Sequence, residues 1–392
     1  MTSPHRKSIT KTSGIPPLEG FKRYHTIHHF KLGGTYTFSD PSSCEHGGTD
    51  GVTLESLGAE PLRVAYIAVG NPERDKDGKI TNAVIISPYY AGDSTFMYYY
   101  WYEGQDGNDF AGGAVVGPGK LIDTDKYYVI FLDAVGLWGA SKPSDGLGLK
   151  FPPYNHFDFV QANYRLLVDE INVSKVKLAT GVSMGAIQSY IWAALHPGLV
   201  EAIMPVGGMT ESNPATSWLF QLMTAAIESD PAWRETGGDY YHLPKENHPN
   251  RGVMFGWSLL LYTGLSFDYR LTQRWEDVRK EVFYWEPDED RGQLLLPLAK
   301  NFDANDLLLR NRAGEEFNLT GELHRIRAKT LILHVANDQW VRLKLAEKAC
   351  QDIKGARLFS FEHELAHYAV FRAPNVLRER ILPFLREIGM KP

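Results

Sequence analysis

The sequence predicts an α/β fold, a mostly parallel, doubly wound sheet carrying an inserted helical lid. Three observations lead there. Short apolar runs alternate with helix-compatible stretches; most runs are continuous, as in strands buried on both faces; and one helical block interrupts the alternation.

The first run, LRVAYIAVG (62–70), alternates and stops at a Gly-Asn-Pro turn. NAVIISPYY (82–90), YYVIFLDAVG (127–136), VKLATG (176–181), AIMPVGG (202–208) and TLILHVAND (330–338) are near-continuous and read as buried strands. Between them, HFDFVQANYRLLVDEIN (156–172) and MGAIQSYIWAALHP (184–197) read as helices, the second halted by His-Pro. From about 210 to 305 the rhythm gives way to SWLFQLMTAAIESD, GVMFGWSLLLYTG and YRLTQRWEDVRKEVFYW, rich in Trp, Tyr and Met. A helical insertion of this kind belongs over the C-terminal edge of the sheet, where ligands bind in such folds. The expected organisation is a flexible tail (1–18), a first part of the core (19–209), a lid (210–305) and a second part of the core (306–392).

A net charge of −6, without long runs of one sign, leaves no basic footprint for nucleic acid and no polybasic membrane patch. No apolar run approaches the roughly 18 residues that span a bilayer. The N-terminal stretch lacks the apolar core of a signal peptide. Cys44 and Cys350 are too few for a disulfide framework or a thiolate zinc cluster, so a reducing cytoplasm is expected.

The chemistry starts at Gly181-Val182-Ser183-Met184-Gly185, between a strand and a helix. G-x-S-x-G in that setting is a nucleophile elbow: a strained turn lifts the Ser hydroxyl clear of the sheet, beside a helix N-terminus that favours negative charge. Such a Ser needs an acid and a His on loops after later strands. Asp338 ends TLILHVAND, and His367 follows ARLFSFEHE; the interval holds one helix, LKLAEKACQDI, and one strand. His367 would take the Ser183 proton as general base, and Asp338 would fix its tautomer. Two main-chain donors are needed for the developing oxyanion, expected from Met184 and from Tyr90 in the loop after NAVIISP.

His363-Glu364-Leu365-Ala366-His367 also spells the H-E-x-x-H zinc signature. That motif requires a continuous helix and a third ligand further along. Here the five residues follow a strand-like run and YAVFRAPNVLRERILPFL offers no obvious third ligand, so no metal is expected. GPGKLIDT lacks the Ser/Thr and Gly spacing of a phosphate loop. His25, His28 and His29 read as strand or surface histidines, and Asp303 and Asp306 as a lid hinge or cap. Trp218, Phe220, Trp257 and Tyr262 read mainly as packing, with some lining the covered pocket.

These residues resemble the homoserine O-acetyltransferase family of α/β-hydrolases. GPGKLIDTDKYYVIFLD (117–133), GLWGASKPSD, GVSMGAIQSYIWAALHP, AAIESDPAWRETGGDYY (225–241), NFDANDLLL (301–309) and AHYAVF carry the likeness. It implies the α/β-hydrolase fold, an acyl-enzyme mechanism, no cofactor, a homodimer through lid helices, and Ser183, Asp338 and His367 as the triad. The departures matter. The family elbow reads GGSMGG, where this chain has Val182 and Ala186. Tyr368 stands where the family has an Asp for the amino group of homoserine, and Thr224 where a lid Arg receives its carboxylate. Both charged handles for a zwitterion are absent there, and burying its charges unpaired costs several kcal/mol. The expectation is therefore the esterase branch: a serine carboxylesterase for small neutral esters, acetates above all, with Thr224, Tyr368 and Trp218 at the substrate. The alternative is a CoA-dependent O-acyltransferase.

Overall fold

The computed structural model describes residues 21–103, 112–272 and 301–391. The expected tail and most of YRLTQRWEDVRKEVFYW lie outside the described residues. Eight strands form the main sheet: β1 (Arg23–Ile27), β2 (Leu62–Gly70), β3 (Ala83–Ser87), β4 (Tyr128–Leu132), β5 (Val176–Val182), β6 (Ala202–Val206), β7 (Lys329–Val335) and β8 (Arg357–Phe361). Their spatial order is β1-β2-β4-β3-β5-β6-β7-β8. Only β2 runs against its neighbours β1 and β4; from β4 to β8 every pairing is parallel. Every residue of β3 and of β6 is buried, as continuous apolar runs require of strands covered on both faces.

Helices α1 (His156–Arg165) and α2 (Met184–Leu195) cover one face, placing Phe159, Tyr190 and Trp192 in its core. The opposite face buries Trp101, Phe131 and Phe384. Each such large apolar side chain contributes about 1.5–3 kcal/mol on burial. α1 is shorter than its sequence suggests: after Arg165 the chain widens to a π-helical turn over Leu166–Ile171 and ends at Asn172 in the left-handed region, φ 63°.

Two helices of the inserted block, α3 (Pro214–Glu228) and α4 (Asn250–Gly264), pack on one another, and α5 (Ala304–Glu315) packs against α3. Asn213 caps α3, accepting from the N–H groups of Ala215 and Thr216, with Pro214 at the first helical position. Leu219, Phe220, Met223 and Ile227 form its buried stripe at helical spacing. Asp303 caps α5, as a cap reading requires, and also accepts from the hydroxyls of Tyr240 (2.8 Å) and Tyr241 (3.1 Å). α6 (Leu343–Asp352) and α7 (Arg378–Glu387) complete the second part.

Asp306 in α5 is buried, accepting from the backbone N–H and the hydroxyl of Ser144, both at 2.8 Å. Burial, then the nearby Asp303, push its carboxyl up to about 8. A carboxyl raised in the folded state gives stability that is present below the ordinary Asp range and is lost as pH rises through the folded value. Unfolding free energy is therefore expected to fall between about pH 4 and 8, and Asp306→Asn to flatten that slope. Urea titrations of both proteins at several pH values check this.

Candidate active site

The site is assembled where β5, β7 and β8 end. Ser183 sits between β5 and α2 at φ 55°, ψ −116°, a conformation that strains any side chain and persists only because its surroundings fix it. Its N–H donates to Val206 O at 2.8 Å, tying the turn to β6. The glycines two residues to either side are dictated by space. A Cβ at Gly181 would lie 2.6 Å from Ser87 O, and one at Gly185 2.3 Å from the same oxygen, which belongs to the adjoining β3. Val182 and Ala186, where this chain departs from the family pattern, are both fully buried.

His367 Nε2 stands 2.9 Å from Ser183 Oγ, and His367 Nδ1 2.6 Å from Asp338 Oδ2. A carboxylate only accepts, so Nδ1 carries the proton and Nε2 of the neutral ring faces the serine hydroxyl. Asp338 Oδ1 is held by the N–H groups of Trp340 (2.8 Å) and Val341 (2.9 Å). The Trp340 ring packs on the imidazole at 4.6 Å. A further tie was not read from the sequence: Asn337 Nδ2 donates to His363 O (2.9 Å) while His363 N–H donates to Asn337 Oδ1 (3.2 Å). That reciprocal pair locks the loop bearing Asp338 to the loop bearing His367.

The H-E-x-x-H segment is not a continuous helix. His363 lies in a loop, Ala366 has φ 44°, and a 3₁₀ turn covers Ala366–Phe371. The two rings face different partners: His367 reaches Ser183, whereas His363 Nε2 lies 3.2 Å from the Arg372 guanidinium. His25 lies in β1, 3.4 Å from Glu170, and His29 occupies a turn at φ 57°.

A cleft of about 470 Å³, counted to its open mouth, lies over Ser183. Tyr90, Met184, Met209, Phe220 and Trp340 are among its mostly apolar lining. Both expected oxyanion donors thus border it. Met184 is the first residue of α2, where a backbone N–H has no intrahelical acceptor. Tyr90 is fixed by stacking on Phe220 (5.6 Å) and by its hydroxyl, which donates to Asn311 Oδ1 at 2.5 Å. The loop that carries it is anchored from below by Lys22, whose ammonium bridges Asp93 (2.5 Å) and Asp133 (2.8 Å). Those two carboxylates hold the Lys22 ammonium well above its ordinary range despite burial.

The substrate residues expected from sequence fare differently. Thr224 does not line the cleft; its hydroxyl accepts from Asn311 Nδ2 at 3.1 Å, one link behind Tyr90. Tyr368 packs its ring against α4, where a Cβ on Gly264 would meet it at 2.6 Å. Trp218 is 68% exposed and points away from the cleft, where Phe220 and Trp340 stand instead. It sits just off the buried stripe of α3. Several lining residues were not anticipated, and the one charged side chain among them is Arg310, from α5, which is 1% exposed. A neutral site does not include such a charge.

The sheet order, the strained elbow and the cleft above it define an enzyme of the α/β-hydrolase class. No protein-family profile matches the chain. Over 289 residues it is 32% identical to a homoserine O-acetyltransferase of Solidesulfovibrio magneticus, covering 68% of this chain and 69% of that one. It is 28% identical over 309 residues to a probable acyltransferase of Methanothermobacter thermautotrophicus, covering 78% and 86%. The crystal structure of an acetylester hydrolase from Corynebacterium glutamicum shares the fold, with a TM-score of 0.71 at 22% identity, covering 93% of this chain and 95% of that one. The chain belongs to the homoserine O-acetyltransferase-like family of α/β-hydrolases, which has esterases among its structural relatives. No described helix is long and apolar enough to cross a membrane.

Proposed function

We propose that the protein is a serine carboxylesterase that cleaves small esters, acetates first among them, through an acyl-enzyme. The observation that carries this reading is the hydrogen-bonded chain Ser183–His367–Asp338 at the floor of a small apolar cleft. In the first half-reaction Ser183 Oγ attacks the ester carbonyl while His367 Nε2 takes its proton. The carbonyl oxygen becomes an oxyanion facing the N–H groups of Met184 and Tyr90. Collapse expels the alcohol, which receives the proton from His367; water then repeats the sequence and releases the acid. Asp338 stabilises the imidazolium at each transfer.

The second reading, transfer of the acyl group to homoserine, is supported by the 32% identity to a homoserine O-acetyltransferase. Against it stands the ammonium of homoserine, for which the residues lining the cleft include no carboxylate. Product analysis with ethyl acetate and with acetyl-CoA, each with and without homoserine, separates the two. The expected result is acetate from the ester regardless of homoserine. Acetyl-homoserine formed only with acetyl-CoA would overturn the esterase reading.

A further inference from the structure

Arg310 is among the largest fully buried side chains of the protein, and it lines the same cleft as Ser183. Its partners do not match its charge. Nη2 donates to the carbonyls of Val135 (2.8 Å) and Ala134 (3.3 Å), Nη1 reaches the thioether of Met184 at 3.4 Å, and the Tyr154 hydroxyl stands beside the guanidinium, all of them neutral groups. Nε, equally buried, has no acceptor. The guanidinium lies over the rings of Phe159 (4.9 Å) and Tyr154 (5.9 Å).

Among the described residues no carboxylate lies within ion-pair distance of Arg310. Asp306, one helical turn earlier, spends both its oxygens on Ser144. A second lining residue repeats the pattern: His156 is buried, and its Nδ1 has no partner. Burial, then the Arg310 charge, push this imidazole down to about 3, so it is neutral and adds no competing charge. A buried guanidinium without a counter-ion is costly, and its planar donors suit a carboxylate above other groups. Met184, which it touches, is the residue next to Ser183.

The geometry points to Arg310 as the receptor of a substrate carboxylate, so that the ester this cleft takes is an anion. The inference rests on the esterase reading and changes the charge of the substrate expected. The carboxylate can sit on the acyl side, as in a half-ester of a dicarboxylic acid, or on the alcohol side, as in an O-acyl hydroxy acid.

The test measures binding without turnover, by calorimetry on Ser183→Ala protein. Monoethyl succinate is paired with ethyl 4-methylpentanoate, and 3-acetoxypropanoate with 3-methylbutyl acetate; each neutral ester replaces the carboxylate by an isopropyl group of similar shape. One anionic ester is expected to bind about ten- to a hundredfold more tightly than its partner, as a charged hydrogen bond gained there implies. Which pair shows it tells the acyl side from the alcohol side. Adding Arg310→Met should bring the ratio close to one, and Arg310→Lys should retain part of it. Equal binding within both pairs, which needs no Arg310 variant, would overturn the inference; so would a preference that survives Arg310→Met, leaving Arg310 an anchor for the Ala134–Val135 loop. Wild-type turnover separates the two claims. Cleavage of neutral esters with no anionic preference sinks this inference alone, whereas Arg310-dependent binding of esters that are never cleaved sinks the esterase reading alone.

Discussion

Replacing Ser183 by Ala is expected to lower ester turnover by about 10⁴- to 10⁶-fold while leaving the fold intact. The effect is large because the nucleophile cannot be substituted by a neighbour. Residual rate would come from the oxyanion donors and binding alone, with water attacking directly. Stability should change little, and in the favourable direction if at all. Ala at φ 55° keeps the strain of the elbow but loses no hydrogen bond other than the one to His367 Nε2. Initial rates with a p-nitrophenyl acetate series, alongside thermal unfolding, check both halves. Activity within tenfold of wild type would remove Ser183 from the mechanism.

Asp338→Asn carries the second largest effect, a loss of about 10⁴-fold in kcat. Oδ1 accepts two backbone N–H groups, from Trp340 and Val341, so that end of the new amide must remain oxygen. The amide nitrogen is then forced to the position of Oδ2, 2.6 Å from His367 Nδ1. Two donors cannot face one another, so the imidazole shifts its proton to Nε2. A protonated Nε2 cannot accept from Ser183. KM should change far less than kcat, since Asp338 touches no part of the cleft that holds substrate. A variant that kept kcat within tenfold would show that Asp338 is no orienting group.

Much of the sheet was legible because a parallel strand buried on both faces has few ways to be written. AVIIS at β3 is apolar up to its final Ser87 and AIMPV at β6 is apolar throughout, and the structure buries every one of those residues. The elbow was legible for a sterically stricter reason. Gly181 and Gly185 have no room for a Cβ beside Ser87 O, so the pattern G-x-S-x-G reports the close approach of β3. The loop positions of Asp338 and His367 followed from the strands that precede them.

What was missed is chemically instructive. Arg310 sits in ANDLLLRNR, between three Leu and Asn311-Arg312, and α5 is buried from Ala304 to Asn311. Nothing local distinguishes an exposed arginine from a buried one; only the packing of α5 beneath α3 does. Trp218 failed in the opposite way. It was expected at the substrate, but the stripe Leu219, Phe220, Met223 and Ile227 already defined the inner face of α3, and residues 218 and 222 fall outside it. The helical period would have found this from the sequence. The Asn337–His363 tie joins residues 26 apart, and His363 takes part only through its main chain, where side-chain identity leaves almost no signal.

The mechanism requires that Ser183 become acylated. The most direct measurement is mass spectrometry of protein quenched in acid during turnover of an acetyl ester, followed by peptide mapping. The predicted result is the added mass of one acetyl group on the peptide containing Ser183, absent from Ser183→Ala protein. Sustained hydrolysis with no adduct on that peptide, or with the adduct on another residue, would contradict it.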